Sequence, residues 1–344
     1  MAISWSWAFG NESGIFLENM GWVLESTSST RGQPDSTRVY SYAGSPTRWS
    51  WAQDNNSGGN EISPPLTTFQ PQGWVTYAVY YDSASVGFFA RIFEILGNGA
   101  STYLFHQGNG VIALYVKNTL KVTFNDPFLT NQWNYVSVRY DMTGTTWTAQ
   151  VYVNGVEQTT LQSQTGANVT TNGRVKFYGS SSVNGRNTYF AQIVQYDDPN
   201  DAGETPYFVT RCDPLSDRAT SGTWTSTGAN NFSQLGSPFD PLSYVENGSP
   251  SSGDYVECRS SPLSDASQLN LSGVTVAAIT THDYTEGTGV DVRCGIADAG
   301  AVVLGDPVTP TATTTSYCFA TSDQQPSGGN WVTGSSVIVR HEIV

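Results

Sequence analysis

Apolar and polar residues alternate most regularly between Leu129 and Thr160, LTNQWNYVSVRYDMTGTTWTAQVYVNGVEQTT. Trp133 opens a run in which Asn134, Val136, Val138 and Tyr140 share one face, while Tyr135, Ser137 and Arg139 share the other. Side chains of an extended chain point to opposite sides in turn, so this is a strand pattern. Asp141, Thr143 and Gly144 supply turn chemistry, after which Trp147, Ala149, Val151 and Val153 alternate with Thr148, Gln150 and Tyr152. Asn154-Gly155 is the strongest short-range hairpin signal, because both central residues of a type I′ turn need positive φ. The chain then returns through Val156, Gln158 and Thr160. A three-stranded antiparallel meander with one buried face is predicted.

The same period recurs on either side. Trp74 to Tyr81 is apolar enough for a central strand. Phe88 to Leu96 is the next, with Phe89, Ile92 and Ile95 as core members and a short helix as the alternative. Strands are expected around Tyr103–His106, Val111–Lys117, Leu120–Phe124, Val175–Tyr178 and Tyr189–Tyr196. The stretch Asp197-Asp198-Pro199-Asn200-Asp201-Ala202-Gly203-Glu204 then breaks the pattern with proline, glycine and crowded charge, which places a domain boundary there. Beyond it, strands are expected at Tyr207–Arg211, Trp224–Thr227, Asp254–Arg259, Leu269–His282, Val290–Ala297, Ser316–Ala320 and Val337–Ile343. In the last of these, Val337, Val339 and His341 alternate with Ile338, Arg340 and Glu342, which reads as an edge or one-sided strand. No window sustains a 3.6-residue period. The expectation is an all-β chain of two sandwiches, residues 1–200 and a smaller antiparallel sandwich over 201–344.

Length and charge refine this picture. A chain of 344 residues is long for one sandwich and comfortable for two. Net charge is −14, carried unevenly. Residues 1–200 hold 10 Lys+Arg and 13 Asp+Glu (−3), and residues 201–344 hold 5 and 16 (−11). That balance disfavours nucleic acid as a partner, since phosphate binding needs a basic footprint. No run approaches 18 apolar residues, so no membrane span is expected. The start MAISWSWAFG has no basic n-region and no apolar h-region, so either a signal has been removed or the chain is made and assembled in the cytoplasm, the reading that Met1 favours. Cys212, Cys258, Cys294 and Cys318 lie far from zinc-site spacing; they are read as buried thiols, with up to two disulfides as the alternative.

Two resemblances add to the residue-level reading. A Trp opening an inward-facing strand, an Asp and Gly in the turn, then a strand ending Tyr152-Val153-Asn154-Gly155 resembles the central meander of laminin-G-like, concanavalin A-type domains. Such domains are jelly-roll sandwiches that mostly bind glycans or proteins, a minority being glycoside hydrolases, and the resemblance implies that the first and last strands of the domain are neighbours. In the second half, the order Trp224-Thr-Ser-Thr-Gly-Ala-Asn-Asn-Phe232, Ser243-Tyr-Val-Glu246, a long strand near 274–282 and Gly328-Gly-Asn-Trp331 resembles C-terminal domains of virion structural proteins of tailed bacteriophages. It implies a non-enzymatic structural protein on the particle surface, as capsid decoration, tail or fibre component. Its partners would be other virion proteins and copies of itself, trimers being common in such assemblies, with host-surface glycan as a further partner. The alternative is a lectin-like module of a cell-surface or secreted, extracellular protein.

Candidate chemistry is sparse. Trp-Ser-Trp occurs at 5–7 and 49–51, each placing two indoles on one face. Core packing is the leading reading, and a glycan-stacking platform at Trp49 and Trp51 the sharper one. Asp197, Asp198 and Asp201 are candidate Ca²⁺ ligands, since Ca²⁺ takes 6–8 oxygens, although a solvated linker explains them more simply. No other cofactor is expected. The histidines His106, His282 and His341 fit no metal or nucleophile motif. A glycosidase needs two carboxylates flanking the bond; the Glu-x-Asp-x-x-Glu run of concanavalin A-type hydrolases is absent, and Glu94 has no Asp two residues on. A polysaccharide-cleaving enzyme is the least favoured reading.

Overall fold

The computed structural model describes residues 3–7, 23–25, 33–35, 41–42, 45–46, 50–53, 61–64, 70–81, 89–97, 99–108, 110–167, 173–178, 188–196, 214–228, 230–231, 245–262, 276–282, 290–310, 316–322, 324–332 and 335–344. Nearly all of its secondary structure is antiparallel sheet, the all-β class that the alternation predicts. The chain divides into two compact units, Met1–Thr210 and Arg211–Val344.

In the first unit two sheets enclose one core. One runs in the order Val156–Glu157, Thr146–Val153, Trp133–Asp141, Gln72–Tyr81, Thr188–Tyr196, Ser50–Gln53 and Gln33–Asp35, with Ile3–Trp7 and Gln162–Thr165 paired beside this path. The other runs Thr119–Asn125, Val111–Val116, Ser101–Gln107, Phe89–Leu96, Arg174–Tyr178, Glu61–Ser63 and Val23–Glu25. Alternate side chains of each sheet meet in between: Val75, Tyr77, Val136, Val138, Trp147 and Val151 from the first, Phe93, Ile95, Leu104, Leu114 and Phe177 from the second. Tyr77, Phe93, Phe177 and Phe190 form an aromatic cluster there. Ile3–Trp7 lies beside Thr188–Tyr196, so the first and last strands of the unit are neighbours.

The meander forms around the predicted hairpin, with Asn154 at φ 54° and Gly155 at φ 75°. Asn154 does more than turn. Its side chain accepts from Tyr135 N at 2.8 Å and donates to Asn134 Oδ1, tying the turn to the buried Asn134. Asn134 in turn donates to Leu129 O and accepts from Leu129 N, which satisfies an amide placed among apolar neighbours. Two expectations need correction here. The Trp133–Asp141 strand buries both faces, because it is interior to its sheet and Tyr135 packs with Ala78, Ala191 and Trp133 on the far side. The returning strand is also broken into Val156–Glu157 and Gln162–Thr165. Between the two pieces Thr159 turns inward and its Oγ1 accepts from Val151 N at 3.1 Å, replacing a ladder bond.

Phe88–Leu96 resolves to a strand, Phe89–Leu96, and not a helix. A register shift lets the consecutive residues Ile92 and Phe93 both point inward.

The second unit is built on a five-stranded sheet in the order Pro214–Ser221, Tyr255–Pro262, Ser336–Ile343, Val292–Ala297 and Val302–Leu304. One face carries Cys294, Ile296 and Val337, which pack with Cys318, Ala320 and Trp331. Cys318 and Ala320 come from Ser316–Ser322, which pairs with Val276–His282. The last strand is not at an edge. It is central, paired with Tyr255–Pro262 on one side and Val292–Ala297 on the other. The edge alternative fails and the one-sided one stands: Val337 and Val339 face the core, while Arg340 and Glu342 are matched by charges on neighbouring strands, so a central strand can carry them. Three strands, Pro214–Ser221, Val245–Asn247 and Val302–Leu304, are not announced by alternation. Cys258, Cys294 and Cys318 are buried thiols, and Cys212 lies outside the described residues. Among the described residues no helix is long and apolar enough to cross a membrane.

Candidate functional site

The outer face of the seven-stranded sheet is where polar and aromatic groups converge without being sealed in the core. Register puts Glu94 of Phe89–Leu96 directly between Tyr103 on one neighbouring strand and Lys176 on the other. Tyr115 stands opposite Tyr103 one strand further on. Alternation directs all four away from the core, since Phe93, Ile95, Leu104, Leu114 and Phe177 take the inward positions.

Glu94 is 2% exposed although it lies on an outer face. A carboxylate so placed needs partners. Arg91 Nη1 lies 2.6 Å from Glu94 Oε1, and the Tyr178 hydroxyl donates to Oε2. Arg91 is itself 41% exposed and lies over the Tyr103 ring, 4.4 Å from its centroid. Tyr103 and Tyr115 stack at 4.4 Å with 10° between their planes, and Phe105 meets Tyr115 edge-on. Guanidinium and two phenol rings therefore form a continuous stack over three adjacent strands. Burial raises the Tyr103 phenol pKa, an effect that the nearby Arg91 cation only partly offsets. Burial acts to lower the Arg91 pKa, but Glu94 and Tyr178 outweigh it and the net shift is upward.

This arrangement offers aromatic edges, outward phenol hydroxyls and a fixed charge pair on a half-exposed β-surface. Both oxygens of Glu94 are engaged, so it serves as an anchor for Arg91 and Tyr178. Sequence reasoning considered Glu94 only as half of a hydrolase pair and did not single out Arg91, Tyr103, Tyr115 or Tyr178. The available signal was the strand period itself, which places Tyr103, Glu94 and Lys176 on one face once the strands are paired.

The candidates singled out from sequence fall outside the described residues, wholly or in their side chains. Trp51 lies in the strand Ser50–Gln53, in the other sheet, and its side chain is outside the described residues. Trp49, Asp197, Asp198 and Asp201 are also outside them. Among the described residues no group of three or more His, Cys, Asp or Glu side chains is arranged to hold a metal. His106 is a buried fastening: Gly108 N donates to its Nδ1 at 3.0 Å, and its Nε2 lies 2.9 Å from Asp126 Oδ2. With Nδ1 accepting, the proton is assigned to Nε2, and both nitrogens are occupied.

No family model and no curated protein sequence matches the chain. Among solved structures, similarity is found to a carbohydrate esterase from the Shiga toxin-encoding bacteriophage phi24B, at 14% identity and TM-score 0.38 over 57% of this chain and 99% of that one. The cellulose-induced protein Cip1 is similar at 13% identity and TM-score 0.41, over 56% and 97%. The exoplasmic/lumenal domain of VIP36, in its Ca²⁺/Man3GlcNAc-bound form, is similar at 10% identity and TM-score 0.36, over 57% and 90%. At these identities and scores nothing about ligand or activity follows for this chain.

Proposed function

We propose that this chain is a non-catalytic adhesion protein whose first unit binds glycan across the Arg91–Tyr103–Tyr115 face, and that it is carried on the surface of a tailed-bacteriophage particle. The observation that supports binding is the half-exposed stack of two phenol rings and a guanidinium beside an anchored carboxylate. Phenol and guanidinium groups of this kind hydrogen-bond sugar hydroxyls, and an open ring face packs against a sugar's apolar C–H face. Catalysis is disfavoured because hydrolysis of a glycosidic bond uses an acid and a second carboxylate across the bond, while Glu94 is committed to Arg91 and Tyr178. The particle location rests on the motif order of the second half of the sequence. Association with sister copies, in the symmetric arrangements usual for oligomers, belongs to the same reading.

Two measurements test it. On a glycan array the full chain binds a defined set of saccharides, and Tyr103→Ala with Tyr115→Ala removes that binding while the melting temperature holds. Retained binding in the folded double variant refutes the site. Mass spectrometry of purified particles finds the chain as a stoichiometric component; its absence from particles refutes the location and leaves glycan binding to stand separately.

A further inference from the structure

The second unit, residues 211–344, contains five arginines, no lysine and fourteen Asp+Glu, a net charge of −9. Four of those five arginines, Arg218, Arg259, Arg293 and Arg340, are gathered on one face of its five-stranded sheet. The face is the one turned away from the core formed by Cys294, Ile296 and Val337. Register fixes this: Glu257 stands opposite Arg340, Arg259 opposite Ile338, and Arg293 opposite Glu342. Among the described residues two carboxylates of this face, Glu257 and Glu342, bridge to them. Arg218 Nη1 is 2.5 Å from Glu257 Oε2, and Arg340 Nη2 is 2.6 Å from Glu257 Oε1. Arg293 Nη2 is 2.5 Å from Glu342 Oε1, with Arg340 Nη1 at 3.3 Å from Oε2. Among the described residues, then, three guanidiniums share two carboxylates and Arg259 bridges to neither, in a unit of net charge −9.

The carboxylates lie beneath and the cations above. Glu257 is 1% exposed, whereas Arg218, Arg293 and Arg340 are 20–28% exposed and Arg259 is exposed. Buried glutamates therefore hold Arg218, Arg293 and Arg340, and the Tyr255 ring supports Arg340 from 4.1 Å. Each guanidinium carries five N–H donors, more than two carboxylates can absorb, so donors remain for a partner.

The geometry points to this face as a binding site for a linear acidic polysaccharide, one bearing carboxylates along its chain. The arginines are in line. From Arg259 to Arg340 the position moves one strand sideways and two residues along, and from Arg340 to Arg293 it makes the same step again in the same direction. With strands about 4.8 Å apart and about 3.3 Å per residue, each step is about 8 Å. A row of evenly stepped cations, two of them held by buried glutamates, suits a linear polyanion that lies along it. A folded partner presents carboxylates at scattered heights and spacings. Sequence-tolerant binding of single-stranded nucleic acid uses exposed aromatic rings beside the cations, and the Tyr255 ring is already covered by Arg340. Planar guanidiniums also match carboxylates in paired hydrogen bonds.

Affinity gel electrophoresis of the full chain, with polygalacturonate, neutral dextran or single-stranded DNA cast in the gel, tests this. Polygalacturonate retards the chain at about 50 mM salt and loses its hold at about 500 mM, as screening of exposed charge requires. Dextran and DNA do not retard it. Arg259→Glu, at an exposed position that leaves the two buried glutamates paired, weakens retardation about tenfold or more without lowering the melting temperature, as expected when a surface contact becomes repulsive. The Tyr103→Ala, Tyr115→Ala variant is retarded like wild type, which separates this face from the one on the first unit. No retardation at low salt, an unchanged Arg259→Glu, or equal retardation by DNA overturns the assignment. So does salt-sensitive self-association that Arg259→Glu abolishes, since that would make the occupant a second copy.

Discussion

Replacing Gly97 with alanine would set a Cβ 2.6 Å from Trp147 Cη2 and 3.1 Å from Met142 Cε. The indole cannot swing away, because Trp147 is 1% exposed within the core and Lys117 Nζ lies over its ring at 5.1 Å. Overpacking of this kind costs about 1–3 kcal/mol. Against it, removing a glycine restricts the unfolded chain and contributes about 0.4–1 kcal/mol of stability. The clash wins, by a net loss of about 1–2 kcal/mol. At roughly 2–4 °C per kcal/mol for a unit of this length, the melting temperature falls by roughly 2–8 °C. Gly144 is the control: the nearest atom to its added Cβ is Thr146 N at 4.0 Å, so Gly144→Ala keeps only the entropic gain and melts at or slightly above wild type. Eight of the ten tryptophans precede residue 210, so thermal unfolding followed by indole fluorescence reports on the first unit. If Gly97→Ala melted as high as Gly144→Ala, the packing argument around Trp147 would be wrong.

Asp298 accepts from Gly300 N, Ala301 N, Ser327 N and Ser327 Oγ, and so clasps two loops of the second unit. Burial alone would raise its pKa, but these bonds outweigh it and bring it from 3.8 to about 2. A depressed folded pKa contributes stability above the unfolded value that is lost as pH falls through the folded one. Asp298→Asn should therefore melt lower at neutral pH and show a flatter loss between pH 4 and pH 2; an unchanged pH profile would count against the clasp. Burial, with Asp217 adding to it, pushes the Cys258 thiol up to about 12, so peptide-resolved alkylation at pH 8 should label it only after denaturation. Full labelling of the native chain would contradict that. Asn154→Ala replaces a residue that tolerates positive φ with one that does so less readily and removes the bond from Tyr135 N, for an expected loss of about 1–3 kcal/mol in urea unfolding. Asn154→Gly should recover the φ share of that loss, and equal losses in the two variants would assign all of it to the side chain.

Side-chain period carried most of the fold and little of the site. Trp133 to Val153 shows the strand period, Trp74 to Tyr81 and Val111 to Lys117 read as strands from their short apolar runs, and Asn154-Gly155 specifies its own turn. What the period cannot express is what covers the second face. Tyr135 and Ser137 read as an outward pair and are buried, because Ala78 and Ala191 on neighbouring strands leave room for Tyr135 to lie down. Pro214–Ser221 was invisible because it is polar, begins with proline and is interrupted by two register shifts. The site was missed for a related reason. Arg91, Glu94, Tyr103, Tyr115 and Tyr178 are spread over 88 residues of sequence on four strands, and only cross-strand register makes them neighbours.

One local device occurs on the outer faces of both units, and it explains why so acidic a chain offers fixed cations. Glu94 and Glu257 are each almost fully buried at the surface of a sheet, and each is bound by an arginine that lies on a tyrosine ring, Arg91 on Tyr103 and Arg340 on Tyr255. A lone arginine on a strand loses side-chain entropy when it meets a ligand. An arginine held between a carboxylate below and a ring beside it has already lost that freedom on folding. Removing the carboxylate would then weaken binding without removing any contact to the ligand. Glu257→Gln is the sharper case, since glutamine keeps the shape but gives up the charge that Arg218 and Arg340 share. If the row of arginines binds because it is preorganised, this variant, which makes the face more positive, should bind polygalacturonate more weakly. If binding followed net charge alone, the same variant would bind more tightly, and preorganisation would have no part in it.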